Sequence, residues 1–377
     1  MRRVCYISGT RADFGLMKRV LTSMREDPRL DLSVCVTGMH LSPLHGDTVK
    51  ELEAAGLRIC ARIPLPLEDT GGAGMGRAIG VALLGIVDAL SAARPDVVVV
   101  LGDRGEMLAG AIAALHLGIP VVHVHGGERS GTVDEPVRHA ISKLAHLHCA
   151  ATPGARERLI RMGERPEHVF VTGAPGLDEI EKMATRSRRE LCLEARLDAG
   201  RPVALVVFHP VVQEAASAGE QMREIMQAVL QHGRQALCFA PNSDAGSAAI
   251  RGVLESFRSH ADVRVAEHLE RQHFVCWMAA ADLMLGNSSA GIIEAASLGL
   301  PVVNVGSRQN ERERSGNVLD VPAVCSREIA AALERALALG RGPYQNVYGD
   351  GRASERILEL LATFAFDASI LQKTNAY

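Results

Sequence analysis

Aromatic residues are scarce in this sequence of 377 residues: Phe, Tyr and Trp together make up 3% of it, whereas apolar residues as a whole make up 47%. The interior must therefore be filled by Val, Ile, Leu and Ala. This composition is typical of buried parallel strands that are flanked by helices. The length is too great for one ordinary α/β domain and suits two.

Excess basic charge and long apolar runs are also lacking. The formal net charge is −3, and no basic stripe is interleaved with aromatics, which argues against nucleic acid as a partner. No uninterrupted apolar run reaches the length of a membrane span, so we expect no membrane partner. The first apolar run stops at Gly9 and Thr10 without a cleavage pattern, and it predicts a first strand, not a signal peptide.

Paired cysteines are absent as well. The eight cysteines stand singly, as Cys5, Cys35 and Cys60 do, and no CxxC pair occurs. Single cysteines of this kind indicate small core residues in a reducing compartment, so we expect a cytoplasmic protein.

Short apolar runs alternate with helical patterns along the whole chain, which predicts doubly wound parallel sheets. The pattern restarts after a charge-rich stretch at 182–201. We therefore predict two Rossmann-like domains, 1–185 and 186–377, and the last helix is a candidate for packing back on the first domain. The Gly-rich stretch 71–76 predicts a mobile loop. The predicted strands are 4–8, 32–37, 96–101, 120–125, 149–152 and 168–172, then 202–208, 236–240, 263–265, 283–285 and 301–305.

Ligands of open α/β sheets bind beyond the carboxyl ends of the strands, so the residues after each strand matter most. After the first strand, Gly9 permits a tight turn, and Arg11 offers a phosphate its planar fork of donors. The alternative is an ordinary turn that is capped by Thr10 or Asp13.

Acids and bases crowd the ends of two further strands. Asp103 follows the third, and the fourth ends at His123 and His125, which period-two geometry places on one face. Such crowding indicates a functional site; the alternatives are a core histidine and a solvated loop. The polar residues that follow are Glu128, Asp134, Glu135, Arg138 and His139.

These histidines with Asp103 also raise the alternative of a metal site. No HExxH or Cys/His spacing supports it, so we predict no metal.

In the second half, a strand ends at His209, and the segment GNSSAG starts at Gly286 and opens a helix that carries Glu294. Small residues with backbone N–H groups at a helix N-terminus form an anion site, to which Ser288 and Ser289 add hydroxyl donors. The alternative is a simple serine cap. A carboxylate one turn into this helix suits a ribose diol. The segment lacks the lysine and spacing of a P-loop.

Ten segments, in order along nearly the whole chain, give the sequence a family resemblance. It resembles the hydrolysing UDP-N-acetylglucosamine 2-epimerases of sialic acid biosynthesis and their bacterial relatives that make legionaminic acid precursors. The resemblance implies a glycosyltransferase-B-like fold, with two Rossmann-like domains facing across a cleft and UDP bound mainly by the second. The matching segments are GTRAD from Gly9, TGMHLSP from Thr37, GDR from Gly102, HGGE from His125, TVDEPVRHAISKLAHLH from Thr132, GAPGLD from Gly173, HPV from His209, PNSDAG from Pro241, GNSSAGIIEA from Gly286 and VNVGSRQ from Val303.

The resemblance also implies roles for individual residues. Many relatives carry a catalytic Glu at the position of His125, and here Glu128 stands three residues on, so His125 is either a third acid–base group or a selector of the sugar. The implied catalytic residues are Asp103, His125, Glu128, Asp134 and Arg138. The implied UDP contacts are Arg11, His209, Asn242, Asp244, Ser288, Ser289 and Glu294.

The implied reaction removes the C2 proton of a UDP-linked 2-acetamido sugar while UDP leaves C1, and water then adds, so that the free manno-configured sugar is released. The implied substrate is UDP-GlcNAc or UDP-2,4-diacetamido-2,4,6-trideoxyglucose, and no cofactor is needed. The alternatives are a non-hydrolysing 2-epimerase, a glycosyltransferase of the same fold and a non-catalytic nucleotide-sugar sensor. We also expect a homo-oligomer, a dimer or a tetramer.

Overall fold

The computed structural model describes residues 1–43, 46–69, 71–130, 134–231, 233–241, 245–267 and 269–376. The chain forms two compact units. Unit 1 holds nearly all of the chain up to Asp178 together with the segment that starts at Tyr348, and unit 2 holds the segment Glu179–Val347. The sequence placed the change of domain between residues 185 and 186.

Within the described residues, unit 1 is built on a sheet of seven parallel strands in the order β3-β2-β1-β4-β5-β6-β7. β-Branched residues dominate the central strands; the run VVVVL, for example, is buried along its whole length, as expected of a sheet covered on both faces. The strand order reverses between β1 and β4, which is where ligands of such sheets bind. The strands are β1 (Arg2–Ser8), β2 (Leu30–Thr37), β3 (Ile59–Ile63), β4 (Val97–Leu101), β5 (Val121–Val124), β6 (Leu147–Ala150) and β7 (Val169–Val171).

Helices cover both faces of this sheet and form two apolar cores. One core lies under α1 and α14 and includes Tyr6, Phe14 and Ile357. The other lies under α3 and α4 and includes Ile86 and Met107. The helices are α1 (Arg11–Glu26), α2 (Val49–Ala54), α3 (Gly72–Ala93), α4 (Gly105–His116), α5 (Asp134–Leu144), α6 (Pro153–Arg161) and α14 (Ala353–Thr363).

The prediction of a mobile loop at residues 71–76 is wrong, because α3 begins at Gly72. Two of its glycines, Gly74 and Gly85, are closely packed; a Cβ on Gly85, for example, would lie 2.5 Å from Cγ2 of Ile63 on β3. By length and composition α3 could cross a membrane, with 28% of its most apolar window buried. However, Arg77 and Asp88 lie within it, and a single such helix is weak evidence for a span.

Unit 2 repeats the architecture, with six parallel strands among the described residues in the order β10-β9-β8-β11-β12-β13. Its order reverses between β8 and β11. The prediction of two Rossmann-like parallel α/β halves is therefore confirmed. The strands are β8 (Val203–Val207), β9 (Gln235–Phe239), β10 (Val263–Ala266), β11 (Leu283–Gly286), β12 (Val302–Val305) and β13 (Val318–Val321). The helices are α7 (Ile180–Met183), α8 (Arg188–Ala195), α9 (Ala218–Leu230), α10 (Ser247–Phe257), α11 (Arg271–Ala280), α12 (Ser289–Ile293) and α13 (Ser326–Leu339).

Candidate active site

Four of the five predicted catalytic residues form one connected group at the ends of β4 and β5 in unit 1. Nδ1 of His125 bonds to Oε1 of Glu128. Arg138 donates from Nη1 to the carbonyl of Glu128 at 3.0 Å and from Nη2 to the carboxylate of Asp103. Arg138 is 2% exposed, whereas the side chain of Asp103 is 25% exposed. A buried cation thus orients a carboxylate that solvent still reaches.

The backbone of His125 adopts a conformation that is uncommon outside glycine. Period-two geometry predicted that His123 and His125 share a strand face, and this is wrong, since β5 ends at Val124 and His125 has a φ of 65°. Alternation holds only for extended backbone. In the left-handed region an L-residue is strained, and the turn brings the imidazole against Glu128 instead.

A glycine makes the same turn possible. Gly127 has a φ of 75°, and a Cβ on it would lie 2.4 Å from the carbonyl oxygen of Ala155. Only glycine fits such a position, which explains the HGGE segment in physical terms.

His123 is a fully buried histidine with a bond on each ring nitrogen. Its Nε2 lies 2.7 Å from the carbonyl oxygen of Gly102, and its Nδ1 lies 3.0 Å from Oγ of Ser142. Burial lowers the pKa of His123 to about 3, so the ring is neutral: Nε2 donates to the carbonyl of Gly102, and Nδ1 lies beside the hydroxyl of Ser142, which donates to the carbonyl of Arg138. His123 therefore connects two parts of unit 1: the turn that contains Asp103, and helix α5.

These engaged nitrogens leave His123 with neither ring position open for a metal ligand bond. Over the described part of the chain, no group of three or more His, Cys, Asp or Glu side chains has an arrangement that could hold a metal ion. The metal alternative gains no support from this geometry.

Asp134, the fifth predicted catalytic residue, is the first residue of α5 and is exposed. From Asp134 onward the chain is helical, so the alternative of a solvated loop does not hold there. Asp134, Arg138 and Ser142 are spaced by four residues and therefore lie along one face of α5. Sequence reasoning missed Ser142; this helical spacing is the signal that could have found it.

In the turn after β1, Thr10 and Asp13 cap the start of helix α1 reciprocally. The side chain of Thr10 accepts from the amide of Asp13, while the carboxylate of Asp13 accepts from the amides of Gly9 and Thr10 at 3.0 and 2.6 Å. The alternative of a capped turn is thus realised. Nε of Arg11 lies 2.8 Å from Oε1 of Glu51, so Arg11 has an ion-pair partner here.

In unit 2, two strand-end turns are tied together by a residue that sequence reasoning passed over. Oδ1 of Asn287 accepts from the amide of His209 at 2.7 Å, and its Nδ2 donates to the carbonyl of the same residue at 2.8 Å. Burial, with the charge of Arg308, lowers the pKa of His209 to about 3. The His209 ring is therefore neutral near neutral pH.

The predicted anion site at Ser288 and Ser289 is smaller than expected. Ser288 is the N-cap of α12 and accepts from the amide of Ala290 at 3.3 Å, which is the simple serine cap that the sequence left open. Helix α12 has only five residues, so its dipole contributes little. The half-buried serine hydroxyls remain as donors.

Glu294 is not one turn inside a longer helix, as predicted, because it ends α12 as the C-cap. It is buried, and its Oε1 lies 3.2 Å from Nη1 of Arg271. The predicted Asn242 and Asp244 lie outside the described residues. Gln309, within the VNVGSRQ segment, donates to the carbonyl of Asn287 at 3.0 Å.

Two doubly wound α/β units, with a connected group of acidic and basic side chains at the ends of β4 and β5, define an enzyme with two Rossmann-like units. Residues 22–362 match the model of the family described as UDP-N-acetylglucosamine 2-epimerase. The chain belongs to the UDP-N-acetylglucosamine 2-epimerase family, which confirms the resemblance drawn from the motifs.

Individual relatives agree with this assignment. A UDP-N,N'-diacetylbacillosamine 2-epimerase (hydrolyzing) from Legionella pneumophila is 51% identical over 100% of both chains. A GDP/UDP-N,N'-diacetylbacillosamine 2-epimerase (hydrolyzing) from Campylobacter jejuni is 32% identical over 85% of this chain and 84% of its own. The fold is similar to that of a Neisseria meningitidis UDP-GlcNAc 2-epimerase bound to UDP-GlcNAc, with a TM-score of 0.80 at 22% identity over 95% of this chain and 99% of that one.

Proposed function

We propose that this protein is a hydrolysing 2-epimerase that acts on a UDP-linked 2-acetamido sugar and releases UDP and the free manno-configured sugar. The observation that carries the proposal is the connected group of His125, Glu128, Arg138 and Asp103 at the carboxyl ends of the neighbouring strands β4 and β5. A non-catalytic sensor would not need an acid–base group in this arrangement.

The reaction balances without a redox partner. A base removes the proton at C2, the C1–O bond breaks, and its electron pair leaves with UDP, which produces a glycal. Water then adds its hydroxyl at C1, and a proton returns to C2 from the opposite face. The net change is the uptake of one water molecule.

We assign the acid–base chemistry to unit 1. When the carboxylate of Glu128 accepts from Nδ1–H of His125, Nε2 is left as the nitrogen that can take up a proton, so the pair can serve as an acid–base group. Arg138 holds the carboxyl group of Asp103 in place, and a carboxylate stabilises the positive charge that develops near the ring oxygen as UDP departs. Asp134, one helical turn from Arg138, is the second essential carboxylate.

We assign the nucleotide diphosphate mainly to unit 2. The hydroxyls of Ser288 and Ser289 supply donors for the growing charge on the leaving UDP, and His209, whose backbone is held by Asn287, stands at the neighbouring strand end. Arg11 in unit 1 is the proposed cationic contact and would exchange its partner Glu51 for phosphate. Asn242, Asp244 and Glu294 complete the proposed contacts.

Between the two candidate substrates, we propose UDP-2,4-diacetamido-2,4,6-trideoxyglucose, for the synthesis of a nonulosonic acid such as legionaminic or sialic acid. The 51% identical relative carries the name of an N,N'-diacetylbacillosamine enzyme, and that sugar has the same 2,4-diacetamido pattern. In the alternative role left open for His125, selection of the sugar, its imidazole would contact the 4-acetamido group, in whose place GlcNAc carries a hydroxyl.

The test is to follow both UDP-sugars with the purified protein by proton NMR. We expect UDP and a free manno-configured 2,4-diacetamido sugar, with slower turnover of UDP-GlcNAc. Interconversion of two intact UDP-sugars would contradict the hydrolytic assignment, and faster use of UDP-GlcNAc would contradict the choice of sugar.

We also propose a cytoplasmic homo-oligomer, a dimer or a tetramer. Helix α3 exposes the apolar side chains of Val81 and Leu84, which lie three residues apart on one side of the helix, and an exposed apolar patch of this kind is typical of subunit contacts. Light scattering on the purified protein measures the assembly directly, and a monomer at micromolar concentration would contradict it.

A further inference from the structure

The segment that follows α14 stays on unit 1 and is anchored there. Ile370 is 5% exposed, the amide of Ala376 donates to the carbonyl of Gly163 at 2.9 Å, and Nζ of Lys143 donates to Oδ1 of Asn375 at 2.7 Å. The chain's last residues are therefore fixed against the same unit that carries the acid–base group.

Beneath this segment lies a buried carboxylate with three partners. Glu164 is 2% exposed. Its oxygens lie 2.8 Å from Nζ of Lys143, 3.0 Å from Nε2 of His148 and 2.6 Å from Nζ of Lys373. Burial alone would raise the pKa of Glu164, but these partners overcome it and hold the pKa at about 2. The buried ammonium group of Lys373 is therefore paired with the charged carboxylate of Glu164.

Lys373 also reaches the end of helix α5. Its Nζ donates to the carbonyl of Ser142 at 3.0 Å and to the carbonyl of Ala145. The last carbonyls of a helix have no partner within the helix, and a cation at this end satisfies them and complements the helix dipole. A residue near the end of the chain thus caps α5.

The capped helix is the one that holds the proposed catalytic group. Asp134 begins α5, Arg138 binds Asp103, and Ser142, whose carbonyl Lys373 caps, bonds to His123 through its side chain. A shift of α5 along its axis would move all of these contacts together.

We propose that Lys373 is a positioning residue for the acid–base group and acts through helix α5. The proposal rests on the proposed function. It implies that the conformation of the last ten residues sets the rate of the chemical step, although none of them is assigned a contact with substrate. A merely structural role for the tail would instead change stability and leave the rate per folded molecule unaltered.

The experiment compares three variants in the full-length chain. Lys373→Met removes the cap and keeps most of the aliphatic stem, and Lys373→Arg restores donors and charge. Val20→Ala, in the buried core beneath α1, is the stability-matched control, because deleting buried methyl groups destabilises without touching α5. UDP release is measured below the unfolding temperature of every variant, and hydrogen exchange of the α5 amides is followed alongside.

We expect Lys373→Met to lower kcat by about tenfold to a hundredfold, the scale of a small misplacement of reacting groups. KM should change by less than about threefold, since substrate contacts are kept. Amide exchange should accelerate in α5, Lys373→Arg should recover most of kcat, and Val20→Ala should keep it.

Unchanged kcat in Lys373→Met, or an equal loss in Val20→Ala, would overturn the inference. Where Lys373→Met does not fold, Lys373→Gln, which is neutral and shorter, takes its place under the same criteria. Failure of the proposed function looks different, because the unmodified protein would then release no UDP from any UDP-amino sugar.

Discussion

The strained backbone of His125 gives a prediction that depends on geometry alone. We compare His125→Gly with His125→Ala, which both remove the imidazole and its bond to Glu128. They differ in one methyl group, on a residue whose φ is 65°. We predict that the glycine variant is the more stable of the two.

The magnitude follows from two opposing terms. Alanine in the left-handed region costs about 1–2 kcal/mol. Glycine avoids that cost but loses about 0.4–1 kcal/mol through the greater freedom of its unfolded chain. The difference is about 1 kcal/mol in favour of glycine, opposite in sign to the usual preference for alanine within regular structure.

Urea unfolding followed by circular dichroism measures this difference, since variants with equal slopes are compared through their midpoints. Lys18, which is exposed in the middle of α1, provides the control pair. At that position the free energy of unfolding of Lys18→Ala should exceed that of Lys18→Gly by about 1 kcal/mol. If His125→Ala is as stable as His125→Gly, or more so, the backbone of residue 125 is not left-handed and the reasoning fails.

Three further predictions concern the site. Asp103→Asn and Asp134→Asn should each lower turnover at least about a hundredfold, the scale of a lost proton-transfer group, and near-normal rates in both would refute the assignment. Ser289→Ala should weaken UDP binding in calorimetry without changing the unfolding midpoint, because it removes a donor from an already folded turn. Burial lowers the pKa of His123 from 6.5 to about 3, so the unfolded state binds the proton first, and stability should fall as the pH drops from about 6.5 towards 3. Urea midpoints at several pH values should show a shallower fall in His123→Gln, and an equal fall would contradict this.

The fold was predictable from the sequence where local pattern and burial agree. The run at 97–101 is β-branched and buried on both faces, so it reads as a strand without ambiguity. Ile59–Ile63 was missed because its burial alternates and Arg62 interrupts the apolar run. Helix α3 was missed because glycines such as Gly74 suggest a flexible backbone. In the structure Gly74 is instead required by close packing, since a Cβ there would lie 2.0 Å from the carbonyl oxygen of Asp69.

The sequence could nominate residues for the site, whose roles remain predictions, but it could not give their contacts. Motif order nominated Asp103, His125, Glu128 and Arg138, and only the folded chain shows that Arg138 joins Asp103 to the Glu128 backbone. Sequence spacing also put the two histidines on one face. A single dihedral angle, which no residue pattern specifies for a non-glycine residue, separates them.

That angle bears on why a histidine stands at position 125. Strain of this kind persists only where the surroundings over-determine the conformation, and it concentrates at functional sites. Here the surroundings are Gly127, which permits the turn, and Glu128, which binds the imidazole once the turn is made. A glutamate at position 125 would bear the same backbone strain and face the carboxylate of Glu128 without an N–H to offer it, so two like charges would meet in a buried setting. His125→Glu in this chain should therefore need Glu128→Gln beside it to recover activity. The double variant tests this directly. We expect UDP release to recover in the double variant and not in His125→Glu alone. Equal activity in the two would show that Glu128 does not select the residue at position 125.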